Sequence, residues 1–202
     1  MHQTIGVLAL QGDFEKHEHM LHQIGIKTTQ VRKPSALNEC VGLIIPGGES
    51  TTQSKLIQLY DLYHPIQSFS QKYLIMGTCA GVILLGTDID DNRIVPLKLL
   101  NISISRNAYG RQIDSFVTYL NIPFIDETQS NNPFKCVFIR APQITHVGND
   151  VHVLMTNNSQ PIMVQAHNVL GITFHPELTD DTRIHQFFVD KAFRRYREIN
   201  SQ

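Results

Sequence analysis

Tyr73-Leu-Ile-Met76 runs into Gly77-Thr-Cys-Ala-Gly81 and then into Val82-Ile-Leu-Leu85. An apolar run, a tight turn bounded by glycines and a second apolar run read as strand, turn and helix, with Cys79 at the apex. This is a nucleophile elbow with cysteine in the place of serine. The glycines relieve crowding where the chain reverses and leave the central side chain exposed at the carboxyl edge of a sheet. Cys79 would then stand at a helix N-terminus, where unpaired N–H groups and the helix dipole favour thiolate over thiol. The N–H of Ala80 can face a developing oxyanion. A free cysteine is commonly a small buried core residue, and the flanking glycines are what favour the functional reading of Cys79. Cys40 and Cys136 lie in or beside apolar runs without such a frame and are read as core.

Outward from the elbow, the chain alternates. Thr4 to Leu10 is apolar and ends at Gln11-Gly12; Phe14 to Ile24 has helical spacing and Gly25 as its stop. Further strands are expected at Lys27 to Val31 and Gly42 to Ile45, with helices at Ser50 to Tyr60 and Pro65 to Gln71. Repeated βαβ units imply a parallel sheet covered on both faces. From Leu97 to Leu120 and from Lys135 to Phe174 the segments are strand-like and broken by Asn, Pro and Gly, which suggests antiparallel additions to that sheet. A last helix is expected after an Asp180 or Asp181 cap, with Ile184, Phe187 and Phe188 on one face. At 202 residues, 42% hydrophobic, the chain is expected to form one domain.

A thiolate needs a base, and His175-Pro-Glu177 follows the apolar run Val169 to Phe174, at a strand end that can reach the elbow's edge. In an extended chain, residues two apart share a side, which would let Glu177 accept a hydrogen bond from His175 and fix its tautomer. Cys79, His175 and Glu177 then make a relay. An isolated His-Pro-Glu would be a turn with an incidental carboxylate; the pairing with the elbow gives it weight. The strand Gly42 to Ile45 ends in Pro46-Gly-Gly-Glu-Ser50, where adjacent glycines allow N–H groups to face a ligand as an oxyanion donor or carboxylate grip. An ordinary strand-to-helix turn capped by Ser50 accounts for the same residues. Loop arginines at Arg106-Asn-Ala-Tyr-Gly-Arg-Gln112 and Phe138-Ile-Arg-Ala-Pro142 could bind a carboxylate bidentately, although most loop arginines are merely solvated. His17, His19 and His22 fall on the first helix and are expected at the surface, no third metal ligand being evident.

The bulk properties exclude other classes. Lys and Arg number 17 against 18 Asp and Glu, a net charge of -1, so there is no single-sign field to draw in nucleic acid or an anionic membrane. Three cysteines without paired spacing argue against a disulfide framework or zinc site and for a reducing compartment. With no secretory leader and no run of membrane-spanning length, a soluble cytoplasmic protein is expected.

Gly6-Val-Leu-Ala-Leu-Gln-Gly12, Pro46-Gly-Gly-Glu-Ser-Thr51, the elbow, Arg106-Asn107 with Gly110-Arg-Gln112, Phe138-Ile-Arg-Ala-Pro142 and His175-Pro-Glu177 span nearly the whole chain. In that order they resemble the glutaminase subunit of pyridoxal 5'-phosphate synthase. The elbow and His-Pro-Glu are common to many triad glutamine amidotransferases; the first, fourth and fifth motifs are more specific to this subunit. The resemblance implies a flavodoxin-like, open three-layer α/β sandwich with a mostly parallel central sheet plus antiparallel additions. It implies hydrolysis of L-glutamine through Cys79, His175 and Glu177, with an oxyanion held by Ala80 and the Gly47-Gly48 loop. Gly47, Gly48, Glu49, Arg106, Ile139 and Arg140 would line the glutamine site, and no metal or organic cofactor would be needed. It implies also a partner, a separate barrel synthase that receives the ammonia through a tunnel. Thr87 to Pro96, with Asp88, Asp90 and Asp91, and Asn149 to Asn158 look idiosyncratic. The alternatives are a glutaminase serving another synthase, or a redox-sensing or chaperone-like protein with an elbow cysteine.

Overall fold

A computed structural model describes residues 4–106, 115–124 and 132–201; Asn107 and Gly110-Arg-Gln112 lie outside the described residues. In chain order the elements are β1 (Thr4–Leu8), α1 (Phe14–Gln23), β2 (Thr28–Val31), β3 (Cys40–Ile45), α2 (Ser50–Leu59), α3 (Tyr63–Ser70), β4 (Leu74–Thr78), α4 (Ala80–Leu85) and β5 (Gly86–Ile89). They continue with β6 (Leu100–Ser105), β7 (Ser115–Leu120), β8 (Phe134–Ile139), β9 (Gln143–Val147), β10 (His152–Asn157), β11 (Gln160–Ala166), β12 (Val169–Ile172) and α5 (Arg183–Asn200).

Among the described residues the central sheet has seven strands in the order β10-β11-β12-β4-β3-β1-β2. The run from β2 to β12 is parallel, and β10 and β11 join it antiparallel. β3 and β12 are buried along their whole length, as interior strands of a sheet covered on both faces must be. Alternate side chains feed two cores. Leu43 and Ile45 pack with Ile57, Ile66 and Val82 on one face; Ile44 between them packs with Leu21, Phe174 and Phe188 on the other. The first face carries α2, α3 and α4, and the second carries α1 and α5.

Of the late segments, β10 and β11 extend the sheet antiparallel as expected, and the expectation is corrected for the other strands in three places. β12 enters the sheet parallel to β4. β6 and β9 form a separate three-stranded sheet with β5, in which β5 and β6 are parallel. β7 and β8 form a hairpin of their own. The physical reason is in the burial: β6 buries only Leu100, Ile102 and Ile104, and β8 only Phe134, Cys136 and Phe138. A strand with one apolar face suits a covering layer better than a sheet interior. The start of α5 also differs slightly, because Thr182 is the N-cap while Asp181 accepts the Arg183 N–H at 3.1 Å.

No helix among the described residues is long and apolar enough to cross a membrane.

Candidate active site

Four loops leave the carboxyl ends of β1, β3, β4 and β12 and meet at one edge, where open parallel sheets place their ligands. The elbow leaves β4. Cys79 has φ 48° and ψ -106°, a conformation that a residue with a side chain adopts only when its surroundings impose it. Its N–H donates to the Ile172 carbonyl at 2.8 Å, so β12 holds the turn from the side. The strain therefore sits on Cys79 itself. Gly81 serves close approach: a Cβ there would lie 2.1 Å from the Ile45 carbonyl oxygen.

β12 continues through Thr173 and Phe174 to His175, whose N–H donates to the Val137 carbonyl at 2.8 Å. His175 Nδ1 donates to Glu177 Oε1 at 2.6 Å, with both side chains buried. The pair does not meet along an extended chain as expected, since Pro176–Leu178 is a 3-10 turn. The turn swings the carboxylate back beneath the imidazole. Burial opposes a charge on His175, but the bond to the Cys79 side chain, the bond to Glu177 and their charges outweigh it and raise its pKa. Burial likewise opposes charge on Glu177, and His17 and His175 outweigh it and lower its pKa.

The loop after β3 brings Gly47 against this pair; a Cβ there would lie 2.5 Å from His175 Cε1 and 3.4 Å from Cys79 Cβ. The Gly47 N–H donates to Thr78 Oγ1 at 3.1 Å, and the Gly47 carbonyl accepts from Asp13 N at 3.1 Å. Gly47 is thus committed on both sides, and the Gly48 N–H, opposite the Gly47 carbonyl across a planar peptide, is the donor the loop can still offer beside that of Ala80. The loop after β1 clamps this one: Gln11 Oε1 accepts from Glu49 N at 2.8 Å, and Gln53 Nε2 donates to the Gln11 and Pro46 carbonyls.

Glu49, not Ser50, caps α2, accepting from Thr51 N and Thr52 N. Although partial burial opposes the charge, these bonds bring the Glu49 pKa down to about 2. Its Oε1 also lies 3.3 Å from Arg106 Nη2. Arg106 is anchored further by Asp91, which pairs with Nη1, and by Asp90, which accepts its N–H at 3.0 Å. The stretch from Thr87 to Pro96 that looked idiosyncratic therefore supplies the two acids that hold a candidate substrate-binding arginine. The Ile139 carbonyl lies 3.9 Å from Cys79 Sγ. Arg140 follows at φ 41° in the turn after β8, with an exposed side chain.

Two participants escaped the sequence reading. His17 is fully buried rather than at the surface: Nδ1 lies 2.9 Å from His185 Nε2, and Nε2 lies 3.1 Å from Thr78 Oγ1 and 3.3 Å from Glu177 Oε2. The signal was there, because His17, Met20 and Leu21 share the inward stripe of α1. His185 hides in the same way between Ile184 and Phe188 on α5.

Asp13, His175 and Glu177 bring ligand atoms within 4.8 Å of one another, a spacing that could hold a cation, although His175 and Glu177 already bond to each other. Cys40 and Cys136 are buried and free, their pKa values pushed up by burial to about 11 and about 12. They are core residues.

The model of the SNO glutamine amidotransferase family matches residues 7–194. Pyridoxal 5'-phosphate synthase subunit PdxT of Dictyoglomus turgidum is 47% identical over 192 residues, covering 93% of this chain and 98% of that protein. The subunit of the same name from Thermotoga petrophila is 42% identical over 187 residues, covering 92% and 97%. A crystal structure of a glutamine amidotransferase superposes with a TM-score of 0.87 at 38% identity, covering 94% of this chain and 98% of that one. With its elbow, its His-Pro-Glu turn and a match over nearly its whole length, this chain belongs to the SNO glutamine amidotransferase family.

Proposed function

We propose that this chain is a single-domain cytoplasmic glutaminase that converts L-glutamine to L-glutamate and ammonia and passes the ammonia to a barrel synthase making pyridoxal 5'-phosphate. The observation that carries the reading is the 2.6 Å bond from His175 to Glu177 beside a strained elbow cysteine. The name borne by relatives at 40–47% identity supports the choice of synthase.

Cys79 sulfur attacks the side-chain amide carbon of glutamine. The N–H groups of Ala80 and Gly48 hold the oxyanion, within a loop shaped by Gly47. As the tetrahedral adduct collapses, His175 gives its proton to the amide nitrogen and ammonia leaves a thioester on Cys79. A raised His175 pKa favours the protonated form that this step needs. His175, now neutral, takes a proton from water; the resulting hydroxide displaces the sulfur and releases glutamate. Glu177 keeps the imidazole oriented throughout. Gly47, Gly48, Glu49, Arg106, Ile139 and Arg140 line the glutamine site, with Arg106 gripping the substrate carboxylate while Asp90 and Asp91 hold it in place.

Free ammonia is mostly protonated near neutral pH and would diffuse away, so hydrolysis should await the synthase. The test is to supply glutamine labelled at the amide nitrogen to the chain with the barrel synthase, its two phosphosugar substrates and unlabelled ammonium. The label is expected in pyridoxal phosphate, and the chain alone is expected to hydrolyse glutamine far more slowly. A fully diluted label, or equal rates with and without the synthase, would overturn the coupling.

A further inference from the structure

Glu177 offers two oxygens, and the relay uses one. Oε1 holds His175; Oε2 is buried, has no aligned hydrogen bond among the described residues, and faces His17 Nε2 at 3.3 Å. The same Nε2 is 3.1 Å from the Thr78 hydroxyl, which accepts the Gly47 N–H. One imidazole therefore touches both the carboxylate that orients the proton carrier and the anchor of the loop beside it.

The tautomer follows from what surrounds the two rings. His17 Nδ1 and His185 Nε2 are 2.9 Å apart, so one of them carries the proton between them. If His17 Nδ1 carried it, His185 would hold its own proton on Nδ1, which is buried without a partner among the described residues. His17 would then turn a lone pair toward a carboxylate oxygen. Orphaned buried N–H groups are rare, and two opposed lone pairs repel. The other assignment removes both faults: His185 Nε2–H donates to His17 Nδ1, and His17 Nε2–H points between Thr78 Oγ1 and Glu177 Oε2. Both rings must be neutral for this. Burial, the largest influence on each, lowers both pKa values, that of His185 to about 3.

We propose that His17, fixed in its tautomer by His185, is a positioning residue for the glutaminase reaction, steadying Glu177 from behind and tying it through Thr78 to the Gly47 peptide. The inference rests on the glutaminase reading given above. Its consequence is that the relay does not end at Glu177 but runs on through α1 to α5.

The test compares His17→Leu and His17→Gln in complex with the synthase, reading kcat and KM for glutamine, together with the NMR resonance of the His175 Nδ1 proton in the resting protein. Loss of an outer partner that orients a functional group costs on the order of tenfold or more. His17→Leu should lose kcat by that factor with KM changed by less than about twofold. His17→Gln, whose amide N–H reaches the Nε2 position, should recover most of it. The His175 resonance should move in His17→Leu and return in His17→Gln, which a space-filling role would not produce. A folded His17→Leu with wild-type kcat and an unmoved resonance overturns the proposal. Should His17→Leu not fold, His17→Gln decides alone: a folded protein with kcat as low as that of Glu177→Gln also overturns it. If the wild-type complex released no ammonia, the glutaminase reading would fall instead, and the resonance would still decide whether His17 acts on the pair.

Discussion

The Gly47 N–H donates to the Thr78 hydroxyl across 3.1 Å, which fastens the loop after β3 to the last residue of β4, the one before Cys79. The β3–β4 ladder ends at Ile45 and Gly77, and beyond it a side chain sets Cys79 and the glycine loop relative to each other. Thr78→Val keeps the shape of the strand and removes the acceptor. A buried N–H left unpaired costs about 1–3 kcal/mol, so the variant should unfold at correspondingly lower denaturant and turn over glutamine more slowly while Cys79 stays alkylatable. Unchanged stability and turnover would mean that the hydroxyl does not hold the loop.

Cys79 carries its strain at φ 48°. Cys79→Ala and Cys79→Gly should both abolish hydrolysis, whereas Cys40→Ala and Cys136→Ala should retain it. The stability order of the two elbow variants is the sharper expectation. A side chain held in such a region costs of the order of 1–3 kcal/mol, and glycine loses about 0.5–1 kcal/mol in extra unfolded-state freedom. Cys79→Gly should therefore be more stable than Cys79→Ala by up to about 2 kcal/mol, the reverse of the usual order, as chemical denaturation would read. The opposite order would remove the case for strain at the elbow.

Glu177→Gln keeps the size of the residue and removes the charge beneath His175. Neutralising a relay carboxylate costs about a thousandfold or more in turnover. The loss should still be less complete than in His175→Ala, which deletes the proton carrier. Wild-type turnover in a folded Glu177→Gln would show that the 2.6 Å bond is structural only.

His185 gives the protein a recognisable acid response. Its pKa is about 3 when folded against 6.5 as a free side chain, the result of burial first and of neighbouring His17 second. Above pH 6.5 the ring is neutral in both states and burying it carries no proton penalty. As pH falls below 6.5 the unfolded chain takes up a proton that the folded chain refuses, so stability drops until pH reaches about 3. His17, also lowered, acts in the same direction. In His185→Gln the slope of unfolding free energy against pH across this window should flatten by up to about 1.4 kcal/mol per pH unit, one proton's worth. An identical acid limb in variant and wild type would contradict the assignment.

What the sequence disclosed was whatever depends on local order along the chain. Gly77 and Gly81 around Cys79, and His175 two residues before Glu177, mark the elbow and the hydrogen-bonded His175–Glu177 pair because both are made within a few residues of chain. The βαβ alternation likewise announces the parallel sheet. What it hid depends on neighbours distant in sequence. A histidine on a helix reads as solvated until the opposite wall is known, and the wall facing His17 comes from Thr78, Glu177 and His185, up to 168 residues away. The acids around Arg106 were hidden for the same reason. The late strands misled because alternating burial marks one-faced strands without saying whether they extend a sheet or cover it.

The bond from the Cys79 amide to Ile172 joins the elbow to a strand that lies far later in the chain than β3, the partner on the other edge of β4. β4 has its partner β3 at hand from the start, but its other edge stays open until residues 169–172 slot in beside it. Closing so long a loop is slow and exposes unpaired strand in the meantime. The positive φ at Cys79 then lacks the bond that holds it from the side, so a chain without β12 in place is expected to have no poised sulfur. In amide exchange the Cys79 N–H should accordingly be among the slowest, opening only when the whole sheet does.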